Sequence, residues 1–213
     1  MSIKLKHSGG NSVSLNPPTS APTSSEVAFK LPNADGSANQ LLKTDGSGNL
    51  GFVAQAVAGI TEFDYWYLSS GTGSGVNADI TSNLSRNNAA AAPSQIGTGM
   101  TESSGIFTFP NTGKWLVIFN GWIEVNGNDA AIVNTMVTTN NSSYSNAAQA
   151  VSSMGTNAQA NQASSFSFID VTDTSQVKVK FKTVSMGSGS YLYGHAASNG
   201  ITTSFIFIRI GDT

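Results

Sequence analysis

"KWLVIFNGWIEV", residues Lys114 to Val125, decides the fold of this chain. Successive side chains of a β-strand point to opposite faces, and one face of this segment is apolar throughout. The residues of that face are Trp115, Val117, Phe119, Ile123 and Val125. The other face carries Leu116, Ile118 and Trp122, which are apolar as well. Because a sandwich buries only one face of each sheet, a strand that is apolar on both faces needs a second cover.

Two other segments share this two-faced pattern. Tyr65 and Tyr67 alternate with Trp66 and Leu68, and near the end of the chain Phe205 and Phe207 alternate with Ile206, Ile208 and Ile210. Without helices to cover the sheet, the simplest cover is another copy of the chain, so we predict an obligate homo-oligomer. An unusually large single core is the alternative. The candidates for the core and for the interface between copies are Tyr65, Tyr67, Phe107, Trp115, Leu116, Ile118, Phe119, Trp122, Phe205 and Phe207.

Short β-like segments separated by Gly, Asn, Ser and Pro occupy the rest of this region. They are Phe63–Leu68, Ile106–Phe109, Ala131–Thr138, Ser164–Val171, Val177–Thr183, Tyr191–Gly194 and Thr202–Ile210, with weaker candidates near Ala78 and Ser143. No window has a convincing helical period, and the Ala89–Ala92 run, which Pro93 follows, is predicted to be a loop. About eight to ten strands fit an all-β, two-sheet jelly roll.

Lysines alternate with apolar residues in one of these segments. Lys178, Lys180 and Lys182 share a face there, which predicts a solvated outer surface. A stripe that docks on an anionic surface is the alternative.

The composition excludes several classes of protein. Of the 213 residues only 10% are charged, the net charge is −2 and no basic block is present, so a nucleic-acid partner is not expected. The absence of cysteine excludes disulfides and thiolate metal sites. We expect no secretory signal and no membrane insertion, because the longest apolar run is Trp115–Phe119.

The N-terminal quarter differs from the rest. We predict an extended docking arm over residues 1–26, a short β-meander neck over 27–54 and a jelly-roll head over 55–213. The prolines of "NPPTSAP", residues 16–22, make a stiff, extended linker. Too few large apolar residues are present in this quarter for a separate core, so the quarter is either disordered or an arm that docks on another protein, and we predict the arm. These docking residues are Ile3, Leu5, Val13, Leu15, Val27, Phe29 and Leu31.

A doubled motif lies within this quarter. "DGSAN", Asp35–Asn39, returns as "DGSGN", Asp45–Asn49. A calcium loop of the helix-loop-helix kind needs several acidic ligands and a final Glu, whereas each repeat has one Asp and no Glu follows before Glu62. Asp-Gly between apolar segments instead favours hairpin turns. We therefore predict no metal but three short strands, Phe29–Leu31, Gln40–Lys43 and Leu50–Val53. Three copies wound about one axis could bury Leu41, Leu42, Leu50 and Phe52.

No catalytic constellation stands out, and we expect neither enzyme activity nor a cofactor. His7 and His195 are the two histidines, and no nucleophile-elbow pattern accompanies them. The loop "SSGTGSGVN", residues 69–77, lacks the lysine of a P-loop. Glycoside cleavage needs a pair of carboxylates. The sequence does not single out such a pair among Glu62, Asp64, Glu102, Glu124, Asp129, Asp170 and Asp173. Tyr144, Trp122 and the Asn/Ser-rich stretch 126–161 form either a sugar-binding rim or plain connecting loops.

Residues Phe107 to Phe119, "FTFPNTGKWLVIF", resemble the signature of the C1q and tumour-necrosis-factor-like family. That signature reads Phe, five residues, Gly, any residue, Tyr, any residue, Phe, any residue, then Phe or Tyr. The matching positions are Phe107, Gly113, Trp115, Val117 and Phe119, with Trp in place of Tyr and Val in place of Phe. The upstream half of the signature departs, with Met100 and Gln95 where an aromatic residue and Asn or Asp would fall.

Two later segments, "SSFSFIDVTDTSQVKVKF" and "TTSFIFIRI", look like the family's later strands in order. The resemblance thus extends over residues 63–210. It implies a jelly roll that trimerises around aromatic and aliphatic residues of one sheet, with no shared catalytic residues. Some members bind calcium, but no matching acidic cluster is present to carry a metal over.

The segment "FKLPNADGSANQLLKTDGSGNL", residues 29–50, resembles one found ahead of the heads of marine bacteriophage virion proteins. This resemblance implies a virion structural protein at the virion surface, either a capsid-decoration protein or a short fibre. Its partners would be its own copies and capsid or tail proteins, which residues 1–54 contact. The alternative is a tail-fibre tip that recognises host cell-surface glycans.

Overall fold

The structure is a computed structural model that describes residues 3–16, 18–24, 26–55, 59–86, 94–127, 130–153, 158–195 and 200–213. The predicted loop at Ala89–Ala92 lies outside these ranges. The chain divides into two compact units, Met1–Ala58 and Gly59–Thr213. Within the described ranges no helix occurs, and every pair of neighbouring strands is antiparallel. The prediction of an all-β fold is confirmed.

The N-terminal unit contains two β-hairpins. The first pairs β1 (Ile3–Lys6) with β2 (Ser12–Leu15), and the second pairs β3 (Gln40–Thr44) with β4 (Leu50–Ala54). In the first hairpin Ile3 lies opposite Leu15 and Leu5 opposite Val13, whereas Lys4 and Lys6 lie opposite serines. Alternation therefore separates an apolar face from a lysine-bearing face. The predicted docking residues Ile3, Leu5, Leu15, Val27, Phe29 and Leu31 are exposed.

The doubled motif forms one hairpin turn rather than two. Residues Asp45–Asn49 connect β3 to β4, and Gly46 and Gly48 have the positive φ angles that tight hairpin turns require. The first copy, Asp35–Asn39, connects no pair of strands. In place of the predicted strand at Phe29–Leu31 there is a single parallel bridge between Lys30 and Asn49. The reason is local, since the backbone of Lys30 bonds to Gly48 and Leu50, at the turn itself.

The carboxylate of Asp45 organises this turn. Asn49 Nδ2 donates to its Oδ2 at 2.6 Å, and the backbone N–H groups of Ser47 and Asn49 donate to its Oδ1 at 2.7 and 3.1 Å. An Asp side chain that binds the following backbone in this way is a common turn device. These hydrogen bonds, led by that from the Asn49 side chain, lower the pKa of Asp45 below its ordinary value of 3.8.

Acid is therefore expected to loosen this turn. A carboxyl whose folded pKa is lowered stabilises the folded form at pH values above its unfolded pKa, and that stabilisation is lost as pH falls through the folded pKa. In the full chain, an NMR titration should show the Ser47 and Asn49 amide signals moving together with the Asp45 carboxyl, at a pH below 3.8. Asp45→Asn should abolish the transition, and a midpoint above 3.8 would contradict the prediction.

The larger unit is a sandwich of two sheets. One has seven strands: β5 (Phe63–Leu68), β6 (Leu84–Arg86), β7 (Gln95–Ile96), β10 (Gly113–Val125), β13 (Gln159–Val171), β15 (Tyr191–Leu192) and β16 (Ser204–Gly211). The other has five: β8 (Thr101–Ser103), β9 (Ile106–Thr108), β11 (Ala130–Thr138), β12 (Ser145–Ser153) and β14 (Lys178–Val184). The main path of the first sheet runs β13-β10-β16-β5-β6, and the second runs β12-β11-β14-β9-β8.

Aromatic rings fill the space between the two sheets. Phe107 from the five-stranded sheet is fully buried, with its ring centroid 4.9 Å from that of Phe207 and 5.4 Å from that of Trp66. The ring centroids of Phe181 and Phe205 are 4.5 Å apart. Tilted and edge-on pairs at these separations contribute energy beyond the area they bury. Residues of a single chain therefore fill the core between the two sheets.

Candidate functional site

The seven-stranded sheet carries a second apolar surface on the side that points away from this core, here called the outward face. Strand register places its side chains in rows across four strands. One row consists of Phe168, Leu116, Ile208 and Phe63. The next row consists of Phe166, Ile118, Ile206 and Tyr65. These eight residues, the apolar rows, are half-buried or exposed in the single chain.

Phe166 and Phe168 are the most exposed members of the apolar rows, at 68% and 69%. They lie on the edge strand β13, where their neighbours Ser165 and Ser167 face the core and are buried. The usual arrangement of a half-buried strand, apolar inside and polar outside, is thus reversed. An exposed apolar patch of this kind is typical of an interaction surface.

The two buried serines should weaken the isolated chain slightly. Neither Ser165 Oγ nor Ser167 Oγ has a hydrogen-bond partner among the described residues. Because a buried hydroxyl without a partner carries a desolvation penalty, Ser165→Ala and Ser167→Ala should each raise the free energy of unfolding by about 1 kcal/mol. Chemical denaturation measures this change. Ser152→Ala is the matched control, since buried Ser152 donates to the Ile123 carbonyl at 3.2 Å. That variant should lose stability, and a loss in all three would contradict the prediction.

The ten predicted core and interface residues divide between the two surfaces of the sandwich. Phe107, Trp115, Phe119, Phe205 and Phe207 are buried in the core. Tyr65, Tyr67, Leu116, Ile118 and Trp122 lie on the outward face. Phe63, Phe166 and Phe168 also lie on this face, although the sequence pattern had not indicated them. The spacing of Phe166 and Phe168, with serines between them, was the signal available for the latter two.

A different group of side chains lies on the outward face beyond Asn120. Tyr193 N donates to the Trp122 carbonyl, and Tyr191 lies opposite Glu124. Gln162 lies opposite Trp122 on the other side. We call these five residues, Trp122, Glu124, Gln162, Tyr191 and Tyr193, the aromatic patch. The Tyr193 hydroxyl donates a short hydrogen bond to Glu124 Oε2. This bond, together with burial, raises the pKa of Tyr193.

Two buried carboxylates at the start of β5 hold a neighbouring loop. Glu62 Oε2 accepts from the backbone N–H groups of Thr98 and Gly99 at 2.9 and 3.1 Å, and its Oε1 accepts from Asn111 Nδ2 at 2.7 Å. Asp64 accepts from Arg86, from Met100 N and from the Trp66 indole. Gly97 has φ +75°, and a Cβ there would lie 2.5 Å from the Glu62 carboxylate. The protein itself donates to both carboxylates, which gives them a structural role.

The remaining candidates for chemistry are also held by local contacts. Glu102 accepts from Gly105 N, Asp170 pairs with Lys114, and Asp173 accepts from Ser175. The two Ser175 hydrogen bonds lower the pKa of Asp173, that from its side chain most. Asp129 lies outside the described residues. In the parts of the chain that the structure describes, no three His, Cys, Asp or Glu side chains cluster as metal ligands would. In those parts, no helix is long and apolar enough to cross a membrane.

Of the two alternatives for Tyr144 and Trp122, a shared sugar-binding rim does not form. Tyr144 lies against Lys180 on the five-stranded sheet, with the ammonium 4.3 Å from the ring centroid, whereas Trp122 is on the outward face of the other sheet. Lys180 also forms an ion pair with Asp79 at 2.7 Å. The sequence alone did not reveal that Trp122 lies on strand β10, on the opposite side of the sandwich from Tyr144. His195 lies beside Tyr67, at a ring-centroid distance of 5.6 Å, and His7 Nδ1 accepts from Gly9 N at 3.0 Å.

The signature residues have clear structural roles. Phe107, Trp115, Val117 and Phe119 are core residues, and Met100, where the family's aromatic residue would fall, is also buried in the core. Gly113 has φ +139°, and a Cβ there would lie 2.5 Å from Arg209 Nε and from the Gly211 carbonyl oxygen. Glycine is required at this position because β10 and β16 approach so closely there.

No protein-family model and no curated protein matches the chain. Solved structures do match. Eiger, a TNF from S. frugiperda, aligns with a TM-score of 0.53 and 13% identity, over 71% of this chain and 93% of that one. Murine APRIL aligns with a TM-score of 0.49 and 10% identity, over 70% of this chain and 98% of that one. The globular domain of zebrafish complement 1qA aligns with a TM-score of 0.45 and 12% identity, over 72% of this chain and 99% of that one. The likeness to Eiger shows that the larger unit has the TNF-like jelly-roll fold, and the predicted fold is confirmed.

Proposed function

We propose that this protein is a non-enzymatic structural component of a bacteriophage virion, a homotrimeric capsid-decoration or short-fibre protein at the virion surface. Its jelly-roll unit would be the outward head, and its N-terminal unit would dock on capsid or tail proteins. The observation that carries the homo-oligomeric part of the proposal is the pair Phe166 and Phe168, exposed on an edge strand of a face that is already apolar.

Self-association is the function that best accounts for the apolar rows of the outward face. Fully burying a large apolar side chain contributes roughly 1.5–3 kcal/mol, so eight such residues can hold copies together permanently. The C1q and TNF-like family, which the sequence resembles, assembles as trimers around one sheet. The outward face is the corresponding surface here, since the core between the sheets is already filled by residues of the same chain.

The virion assignment is supported by the N-terminal quarter. Residues 29–50 resemble a segment of bacteriophage virion proteins, and the β1–β2 hairpin presents Ile3, Leu5 and Leu15 on one exposed face. Two-stranded hairpins are marginal in isolation, so such a face needs a partner.

Two measurements test this proposal. Light scattering of the purified chain should give about three times its mass of 22.0 kDa, and a monomer would refute the trimer. Deleting residues 1–53 should leave a folded head that no longer incorporates into particles. If the truncated head incorporated normally, the docking role would be wrong.

A second candidate function is the recognition of host cell-surface glycans by the head, as at a tail-fibre tip. One observation favours it, namely that the aromatic patch exposes three aromatic rings beside a carboxylate and an amide.

A further inference from the structure

We infer that the aromatic patch is a binding site for a neutral pyranose sugar, with Trp122 and Tyr193 as the stacking surface and Glu124 and Gln162 as hydrogen-bonding groups. The inference rests on the second candidate function and is independent of the virion proposal. It assigns glycan recognition to one place on the head.

The rings of the patch form a connected surface that is open to solvent. Trp122 and Tyr193 have centroids 5.7 Å apart and planes inclined by 43°, and Tyr191 lies 6.3 Å from Tyr193 at 38°. Their exposed fractions are 37% for Trp122, 37% for Tyr191 and 38% for Tyr193. Exposing a large ring is unfavourable in water, and three adjacent rings on one surface indicate a ligand or partner.

The polar members indicate which ligand fits. A pyranose has an apolar C–H face that stacks on an aromatic ring and a rim of hydroxyls that need acceptors and donors. Glu124 accepts one side-chain hydrogen bond within the described part of the chain, from Tyr193, so its Oε1 is free to accept another. Gln162 is exposed and lies opposite Trp122, and its amide supplies both a donor and an acceptor.

The charge of the aromatic patch indicates which class of sugar it binds. The patch holds one carboxylate and neither lysine nor arginine, so an acidic sugar would be repelled. The same carboxylate argues against this patch being the centre of a contact between copies, where charged residues are depleted. The apolar rows, which are four strands wide and uncharged, have that character instead.

The chain offers a direct optical test. Trp66 and Trp115 are buried at 8% and 1% exposed, so Trp122 is the tryptophan that a solvent quencher reaches most easily. Acrylamide quenching of the full-length protein is measured with and without a panel of neutral oligosaccharides built of glucose, galactose or N-acetylglucosamine. Binding should protect the quenchable fraction, and titration of that protection gives the affinity.

Trp122→Ala, followed by calorimetry with the same oligosaccharides, should weaken binding by about fivefold or more, because it removes the stacking ring. Glu124→Gln should weaken it as well and serves if the alanine variant does not fold. Tyr144→Ala is the matched control, since it removes an aromatic ring from the opposite side of the sandwich and should leave the affinity unchanged.

The outcomes separate the claims. Protection of Trp122 in the wild-type protein, together with an affinity by calorimetry that both patch substitutions reduce, supports the inference. Oligosaccharide binding that neither Trp122→Ala nor Glu124→Gln changes overturns the site but leaves glycan recognition standing. No binding to any panel member overturns the site and the second candidate function together. A Trp122→Ala protein whose mass by light scattering falls below that of the wild type assigns the patch to a contact between copies, which also overturns the inference.

Discussion

Replacing Asp64 with alanine should lower the free energy of unfolding by roughly 3–5 kcal/mol, because it leaves a partly buried guanidinium without its counter-charge. Asp64 Oδ1 accepts from Arg86 Nε at 2.8 Å and Oδ2 from Arg86 Nη2 at 2.9 Å, and its side chain is only 1% exposed. Arg86 also lies over the Trp66 ring, with its Cζ 4.7 Å from the ring centroid. Since domains are stable by roughly 5–15 kcal/mol, this is a large share of the total.

Asp64→Ala also leaves two further hydrogen-bond donors without an acceptor. Trp66 Nε1 and Met100 N donate to Asp64 Oδ2 at 2.8 and 2.6 Å, and both lose their acceptor. A buried donor without a partner costs roughly 1–3 kcal/mol. Asp64→Asn keeps the size of the side chain and one carbonyl acceptor, so its effect should be smaller.

Asp170→Ala is the control for Asp64→Ala. It breaks the Lys114–Asp170 ion pair, whose N···O distance of 2.7 Å is comparable but whose side chains are about half exposed. Exposed pairs contribute about 0–1 kcal/mol. Urea denaturation is measured at a fixed chain concentration, because association would stabilise the folded form. Equal, small losses in the two variants would contradict the structural role given to Asp64.

If the protein is the proposed homotrimer, replacing Phe166 and Phe168 together with aspartate should convert it to monomers. If copies bury both rings, each contributes roughly 1.5–3 kcal/mol per chain, and charges at these positions would be repelled from an apolar contact. The chain should still fold, since both rings are more than two-thirds exposed in the single chain, at 68% and 69%. Light scattering should then give the 22.0 kDa mass of one chain, with an unchanged far-UV circular dichroism spectrum.

Val76→Asp provides the comparison for the double substitution. Val76 is an exposed apolar residue, at 40%, in the loop that follows β5, and its carbonyl accepts from Thr183 Oγ1 of the other sheet at 2.7 Å. This variant should keep the mass of the wild type. A Phe166→Asp, Phe168→Asp protein of unchanged mass would show that copies do not meet through β13.

Much of the jelly roll could be predicted from local sequence because strand side chains alternate with a period of two. The assignment of Trp115 and Phe119 to one face and of Leu116 and Ile118 to the other needed only their positions in the segment Lys114–Val125. The hairpin turn at Asp45–Asn49 was predictable in the same way, since Asp-Gly supplies the positive φ angles.

Other elements had no such local signal. The strand β12, "SNAAQAVSS", consists of small and polar residues, and the sequence indicated only a weak candidate near Ser143. Its β-structure comes from pairing with β11. The doubled Asp-Gly motif predicted two hairpin turns, but the first copy forms only a turn at Ser37–Gln40 that connects no pair of strands, and Lys30 makes a single bridge to Asn49 beside the second copy.

The sequence by itself determined the fold class and the existence of a second apolar face, since both depend on alternation within single strands. Only the tertiary structure decided which residues of that face adjoin one another. Phe166, Ile118, Ile206 and Tyr65 form one row because the register across four strands aligns them. Likewise, Asp64 meets Arg86 and Met100, and Trp122 meets Tyr193, through contacts between residues that lie far apart in the chain. Such contacts depend on the pairing of strands that are distant in the chain, which local sequence patterns alone do not reveal.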